Sequence, residues 1–151
     1  MNIVIRNAKI EDTKKIDEFL TKLILDERKY DPNINEDCEI ANYYENVISK
    51  KDACILVAEY DGKLVGYLYG FIKNDGDTCI SLVSKLDALY VEEDFRNMNI
   101  GNNLIEEFKR WCLTRNVKNI EVNVWQNNEI AFKLYSKHGF NPSKITMNVE
   151  I

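Results

Sequence analysis

A single histidine, His138, stands among 151 residues, and the four cysteines, Cys38, Cys54, Cys79 and Cys112, never fall in Cys-x-x-Cys spacing. A structural zinc site takes about four such ligands at close spacing, so no metal is expected. No apolar run reaches the roughly 18 residues of a membrane span. Residues 1–10 show no basic region followed by a long apolar stretch, so neither membrane insertion nor a signal peptide is expected. No basic stripe is visible and the net charge is −5, which argues against nucleic acid as a partner. Repeats, low-complexity tracts and long linkers are also missing, and residues 1–151 read as one domain. The cysteines lie in apolar runs and are expected to be reduced, small buried residues of a cytoplasmic protein.

What is present is ordinary for a globular chain: 45% hydrophobic and 30% charged residues. The acidity is uneven. Between Asp26 and Glu45 stand Asp26, Glu27, Asp31, Glu36, Asp37, Glu39 and Glu45, against only Arg28 and Lys29. Such a stretch suits a solvated surface, and it equally suits an acidic rim that attracts a cationic substrate.

The patterning alternates between strand and helix periods. Ile3–Ile5 opens with a short strand, and Ile16, Phe19, Leu20, Leu23 and Ile24 then follow helical spacing. A second helix is expected over 39–49. Strand-like runs at 54–60 and 64–72 flank the tight-turn pair Asp61-Gly62, and a long strand follows over 79–91. Helices are expected over 101–115 and 128–137, with Gly139 as the terminal cap of the latter. A strand over 119–125 lies between them, and 145–151 alternates as a last strand. Strand, helix and strand across 86–125 predict a parallel pair within a mixed sheet.

The stretch from Leu89 to Leu104 carries the chemistry. A strand ends, a polar loop follows, and an amphipathic helix begins at Gly101. The first N–H groups of a helix have no internal partners and lie at the positive end of its dipole, a geometry suited to phosphate. Gly101 keeps a Cβ out of the way of such a ligand. Neither a P-loop nor a Gly-x-Gly-x-x-Gly fingerprint is present.

At these residues the chain resembles the GNAT superfamily of N-acetyltransferases. Arg96-x-x-Asn99-x-Gly101, just after Leu89-Tyr90-Val91, is similar to that family's Gln/Arg-x-x-Gly-x-Gly/Ala motif. About 27 residues later, Asn128-Glu-Ile-Ala131-Phe-Lys-Leu134-Tyr135 and Gly139-Phe140 resemble its second block. The hairpin through Asp61-Gly62 and the opening Ile5-Arg6-x-Ala8 also match. One position departs: Asn99 stands where the family has its first loop glycine. Asn tolerates the left-handed region better than most residues, so the turn is expected to persist.

The resemblance implies a mixed α/β fold, with a sheet of six or seven strands splayed at the middle and about four helices. It implies acetyl-CoA as cofactor, its pyrophosphate on the backbone of Met98, Asn99, Ile100, Gly101, Asn102 and Asn103, with Arg96 beside the loop. The pantetheine arm would pair near Leu89 and Val91, and Asn128 would bond that arm or a nearby carbonyl. Tyr135 would protonate the departing thiolate, and Asp87 would take the amine proton. The residues alone leave other readings open. Tyr135 suits a core aromatic, Asn128 a helix cap, Arg96 a surface cation and Asp87 a structural carboxylate. The acceptor implied is a primary amine of a small molecule or peptide. A protein N-terminus or lysine, or a non-catalytic CoA-binding domain, is the alternative. The family also allows a homodimer, with the last strand as one surface for it.

Overall fold

The computed structural model describes residues 2–151. Five strands form one sheet in the order β1 to β5: β1 (Ile3–Asn7), β2 (Ala53–Tyr60), β3 (Lys63–Ile72), β4 (Leu82–Val91) and β5 (Val117–Val122). The first four pair antiparallel, and β4 and β5 run parallel, as the strand-helix-strand pattern predicts. Three α-helices accompany them: α1 (Thr13–Asp26), α2 (Ile100–Thr114) and α3 (Glu129–Lys137). The mixed α/β class is as expected and the three α-helices roughly match the about four expected, but the described sheet has five strands rather than six or seven.

Each element follows from its sequence. Asp61 and Gly62 both take positive φ (49° and 78°), the geometry of a two-residue hairpin turn, and Tyr60 pairs with Lys63 across it. Along α2, Ile100, Leu104, Ile105, Phe108 and Cys112 are buried at helical spacing. They pack on Cys54, Leu56, Leu68 and Leu86 from one sheet face. On the other face, Ile16 and Phe19 of α1 meet Val57, Tyr67, Ala88 and Tyr90. Gly70 is required by close approach: a Cβ there would lie 2.3 Å from the Phe108 ring.

Three expectations are corrected. Residues 39–49 do not form a helix; only a single 3-10 turn, Tyr44–Asn46, is present. Asn42 sits at φ 58°, which interrupts helical geometry. The segment is instead tied to α1, Tyr44 N–H donating to Asp17 Oδ1 (3.1 Å) and Ile40 N–H to Thr21 Oγ1 (2.9 Å). The long strand begins at Leu82, not at 79, after a 3-10 turn over Gly76–Thr78. Residues 145–151 join no strand, and Ile145, Met147, Val149 and Ile151 are each at least 79% exposed. The cysteines divide: Cys54 and Cys112 are buried, Cys38 is partly buried and Cys79 is exposed. Burial pushes the Cys54 thiol up to about 12, which leaves it inert as a nucleophile.

Candidate active site

β4 and β5 separate partway along. Their pairing runs from Leu82 with Val117 to Leu86 with Val122 and goes no further. Beyond that rung, residues 87–91 of β4 present a backbone edge with no strand beside it. Leu89 and Val91, the residues expected to pair with an extended ligand, lie on that open stretch. The Val91 carbonyl also accepts from Arg96 Nε at 2.9 Å.

A register shift on β3 between Tyr69 and Gly70 leaves Asp87 unmatched on β4, since Tyr69 pairs with Ala88 and Gly70 with Leu86. Leu86, Leu89 and Val91 pack toward α2, while Ala88 and Tyr90 pack toward α1. The bulge thus resolves which face Asp87 serves. Burial raises Tyr44, Tyr67 and Tyr69, all on the α1 face, and the negative charge of Asp87 adds a smaller push to each. Burial raises the Asp87 carboxyl itself above its ordinary range, and Lys85, 3.9 Å away, opposes that only in part. With 37% of its side chain exposed, the carboxylate remains reachable from solvent. Tyr44 and Tyr67 share a hydroxyl–hydroxyl bond of 2.9 Å behind it, and Tyr43 stands exposed at the rim.

The loop after β4 turns twice through left-handed backbone, at Asn97 (φ 63°) and Asn99 (φ 67°). Asn99 keeps the turn without being glycine. Its carbonyl accepts the first helical bond from Asn103 N–H (3.1 Å), so the N–H groups of Ile100, Gly101 and Asn102 have no acceptor inside α2. Met98 packs against the core. Gly101 lies in the first turn, where a Cβ would meet only Leu134 Cδ2 at 3.8 Å. The donor set fits a pyrophosphate: several convergent N–H groups at a helix start, with no backbone acceptor of their own. Arg96 does not point into this cradle. Its guanidinium lies 5.6 Å over the Tyr90 ring and 3.7 Å from Asp26, bracing the end of β4.

From α3, Tyr135 is 8% exposed and packs edge-on against Phe140 at 5.5 Å. Burial, and then the charge of Glu27, push its phenol well above the usual range. A phenol so biased toward its protonated form is a donor rather than a base. Asn128 caps α3, its Oδ1 accepting from Ala131 N–H at 3.1 Å, which leaves its amide NH₂ to donate elsewhere.

Sequence reasoning missed two residues here. Trp125 Nε1 donates to Glu27 Oε2, and the Trp125 ring stacks on Tyr30 at 6.4 Å. These contacts link the end of α1 to the β5–α3 loop across the open end of the splay. The acidic stretch after Asp26 gave the only signal for Glu27; nothing in the one-dimensional pattern distinguished Trp125. Among the described residues, no group of three or more His, Cys, Asp or Glu is placed to hold a metal. No described helix is long and apolar enough to cross a membrane.

The parallel pair parts beside a β-bulge, with the start of α2 and the buried Tyr135 on the α2 side and Asp87 toward the α1 side. Residues 20–140 match the acetyltransferase (GNAT) family, and the chain belongs to it. It is thus an enzyme of the acetyltransferase class. It is 29% identical over 98 residues to an uncharacterized N-acetyltransferase of Archaeoglobus fulgidus, covering 65% of this chain and 67% of that one. The chain spans about two thirds of the length of the curated relatives it matches. The fold also matches a mutant of the BH1408 protein from Bacillus halodurans with a TM-score of 0.86 at 21% identity, covering 98% of this chain and 99% of that one. An aminoglycoside N-acetyltransferase, AAC(6')-Iy, in complex with CoA aligns with a TM-score of 0.75 at 18% identity, covering 99% and 95%.

Proposed function

We propose that the chain transfers an acetyl group from acetyl-CoA directly to a primary amine. The observation that carries this reading is the open β4 edge between the Gly101 cradle and Asp87, with Tyr135 buried across the splay. Ile100, Gly101 and Asn102 hold the pyrophosphate through their N–H groups, with Met98, Asn99 and Asn103 shaping the loop, and Leu89 and Val91 align the arm. Asn128 donates its free amide to that arm. Bound acetyl-CoA supplies the activated acetyl group; the amine nitrogen gains it as an amide and CoA leaves as the thiol.

Two protons then have to be managed. At neutral pH only about one alkylamine molecule in 2,500 is free base. Asp87, on the solvent-reachable side of the splay, takes the ammonium proton, directly or through water. Tyr135, kept protonated by burial, gives its proton to the departing sulfur, and the second proton that the nitrogen sheds as the amide forms restores the phenol. The carboxylate, the exposed Tyr43 ring and the acidic stretch from Asp26 to Glu45 favour an acceptor that is cationic in bulk water. A small-molecule amine fits best, and a peptide amine or protein N-terminus is the second reading. Incubation of acetyl-CoA with small amines, polyamines, amino acids and peptides, read by mass spectrometry, tests the reading and sorts the acceptors.

We infer also that the protein pairs with a second copy through residues 145–151. None of residues 141–151 takes part in a backbone hydrogen bond, and the outer edge of β5 is unpaired. Every copy carries both an alternating apolar arm and a free edge, so a two-fold exchange covers both at once.

A further inference from the structure

The chain's one histidine sits where α3 ends, yet its side chain reaches back to the start of α2. The imidazole is nearly sealed, 6% exposed. Its Nδ1 lies 2.8 Å from Glu106 Oε1, and its Nε2 lies 2.7 Å from Asn102 Oδ1. Asn102 is itself oriented, since its Nδ2 donates to Asn99 Oδ1 at 2.8 Å. The amide therefore turns its oxygen to the ring. Both ring nitrogens thus have partners on α2, Glu106 at one and Asn102 at the other. Glu106 is held below the ordinary carboxylate range, chiefly by the hydrogen bond from His138. Lys109 turns away from the ring, its Nζ donating to the His138 carbonyl (3.3 Å) and lying 3.7 Å from Glu106. Lys137 precedes His138 on α3.

The far end of this chain of contacts is Asn99, the residue at φ 67° that stands in the place of a glycine. For a residue with a Cβ the left-handed conformation costs free energy that glycine does not incur. A side-chain bond from Asn102 offsets that cost, and His138 holds Asn102. Resting on the cofactor reading above, we propose that His138 is a positioning residue for cofactor binding: it fixes Asn102, which fixes Asn99 and so the loop that cradles the pyrophosphate. The strut substitutes for the missing glycine.

The test is a double-mutant cycle on CoA binding, measured by calorimetry on folded variants. His138→Ala weakens CoA binding about tenfold, the size of coupling expected within one hydrogen-bond network. In an Asn99→Gly background the same substitution has little effect, because glycine holds the turn unaided. Equal losses in both backgrounds would overturn the strut and point to a general effect on α3. Hydrogen exchange of the Asn102 side-chain amide, followed by NMR, gives a readout independent of the cofactor. Exchange in the free protein that His138→Ala speeds severalfold supports the proposal, and equal exchange in both proteins overturns it. Failure of the wild type to bind CoA would overturn the cofactor reading itself, leaving the strut to be judged on the Asn102 amide.

Discussion

Leu86 and Val122 form the last rung between β4 and β5, and Asp87 is the first β4 residue beyond it. The bulge opposite Gly70 turns that carboxylate to the face of Tyr44, Tyr67 and Tyr69. If Asp87 accepts the amine proton, Asp87→Asn lowers the rate most near neutral pH. The deficit shrinks at high pH, where more of the amine is already free. A deficit that does not change with pH would assign Asp87 to positioning.

The same carboxylate has a stability signature. Burial raises its pKa in the folded chain, so between the ordinary carboxyl value and the raised one the folded state binds more protons than the unfolded. Stability therefore falls as pH rises through that window. Asp87→Asn removes this penalty and raises the melting midpoint at neutral pH, and the advantage disappears in acid below the ordinary carboxyl range. A lower midpoint at neutral pH would mean that the contact with Lys85 supports the fold.

Tyr135→Phe keeps the ring and its packing on Phe140 while removing the hydroxyl. It should lower kcat by roughly 10²-fold, as for loss of one general acid, and leave CoA affinity unchanged. Wild-type kcat in this variant, with chemistry limiting the rate, would remove the acid role.

Gly101 separates ligand sterics from folding. An added Cβ would meet only Leu134 at ordinary contact distance, and helix propensity favours alanine by about 1 kcal/mol. Gly101→Ala should melt no lower than the wild type. Gly101→Val should weaken CoA binding at least about tenfold, or about 1.4 kcal/mol. Unchanged affinity in the valine variant, by calorimetry, would move the pyrophosphate elsewhere.

Ending the chain after Ser143 tests the assembly. Sedimentation should report twice the 17.7 kDa chain mass for the full sequence and a monomer for the shortened one. The same mass for both would exclude residues 145–151 from the interface.

Much of this architecture was legible beforehand. The Asp61-Gly62 turn, the apolar stripe of α2 and the Gly139 cap are local devices, and local physics fixes them. The elements that misled lacked tertiary information. Residues 39–49 had enough apolar spacing to suggest a helix, but the N–H groups of Ile40 and Tyr44 go to Thr21 and Asp17 of α1, which no local pattern reveals. Residues 145–151 alternate as a strand does, yet they pair with no strand among the described residues of their own chain. At the proposed site, the loop and Tyr135 are read from motifs. The face of Asp87 awaited the bulge, and Glu27 and Trp125 meet only because the ends of α1 and β5 converge. Arg96, expected beside the cofactor loop, lies over Tyr90 and donates to the Val91 carbonyl.

The central claim is acetyl transfer, and the most direct measurement is mass spectrometry of an amine panel incubated with acetyl-CoA, with free thiol followed in parallel. The account predicts an acceptor that gains one acetyl group for each CoA thiol released, with both signals strongly reduced in Tyr135→Phe. CoA binding without any acetylated amine across small amines, polyamines, amino acids and peptides would contradict it, and would make the chain a CoA-binding domain without turnover.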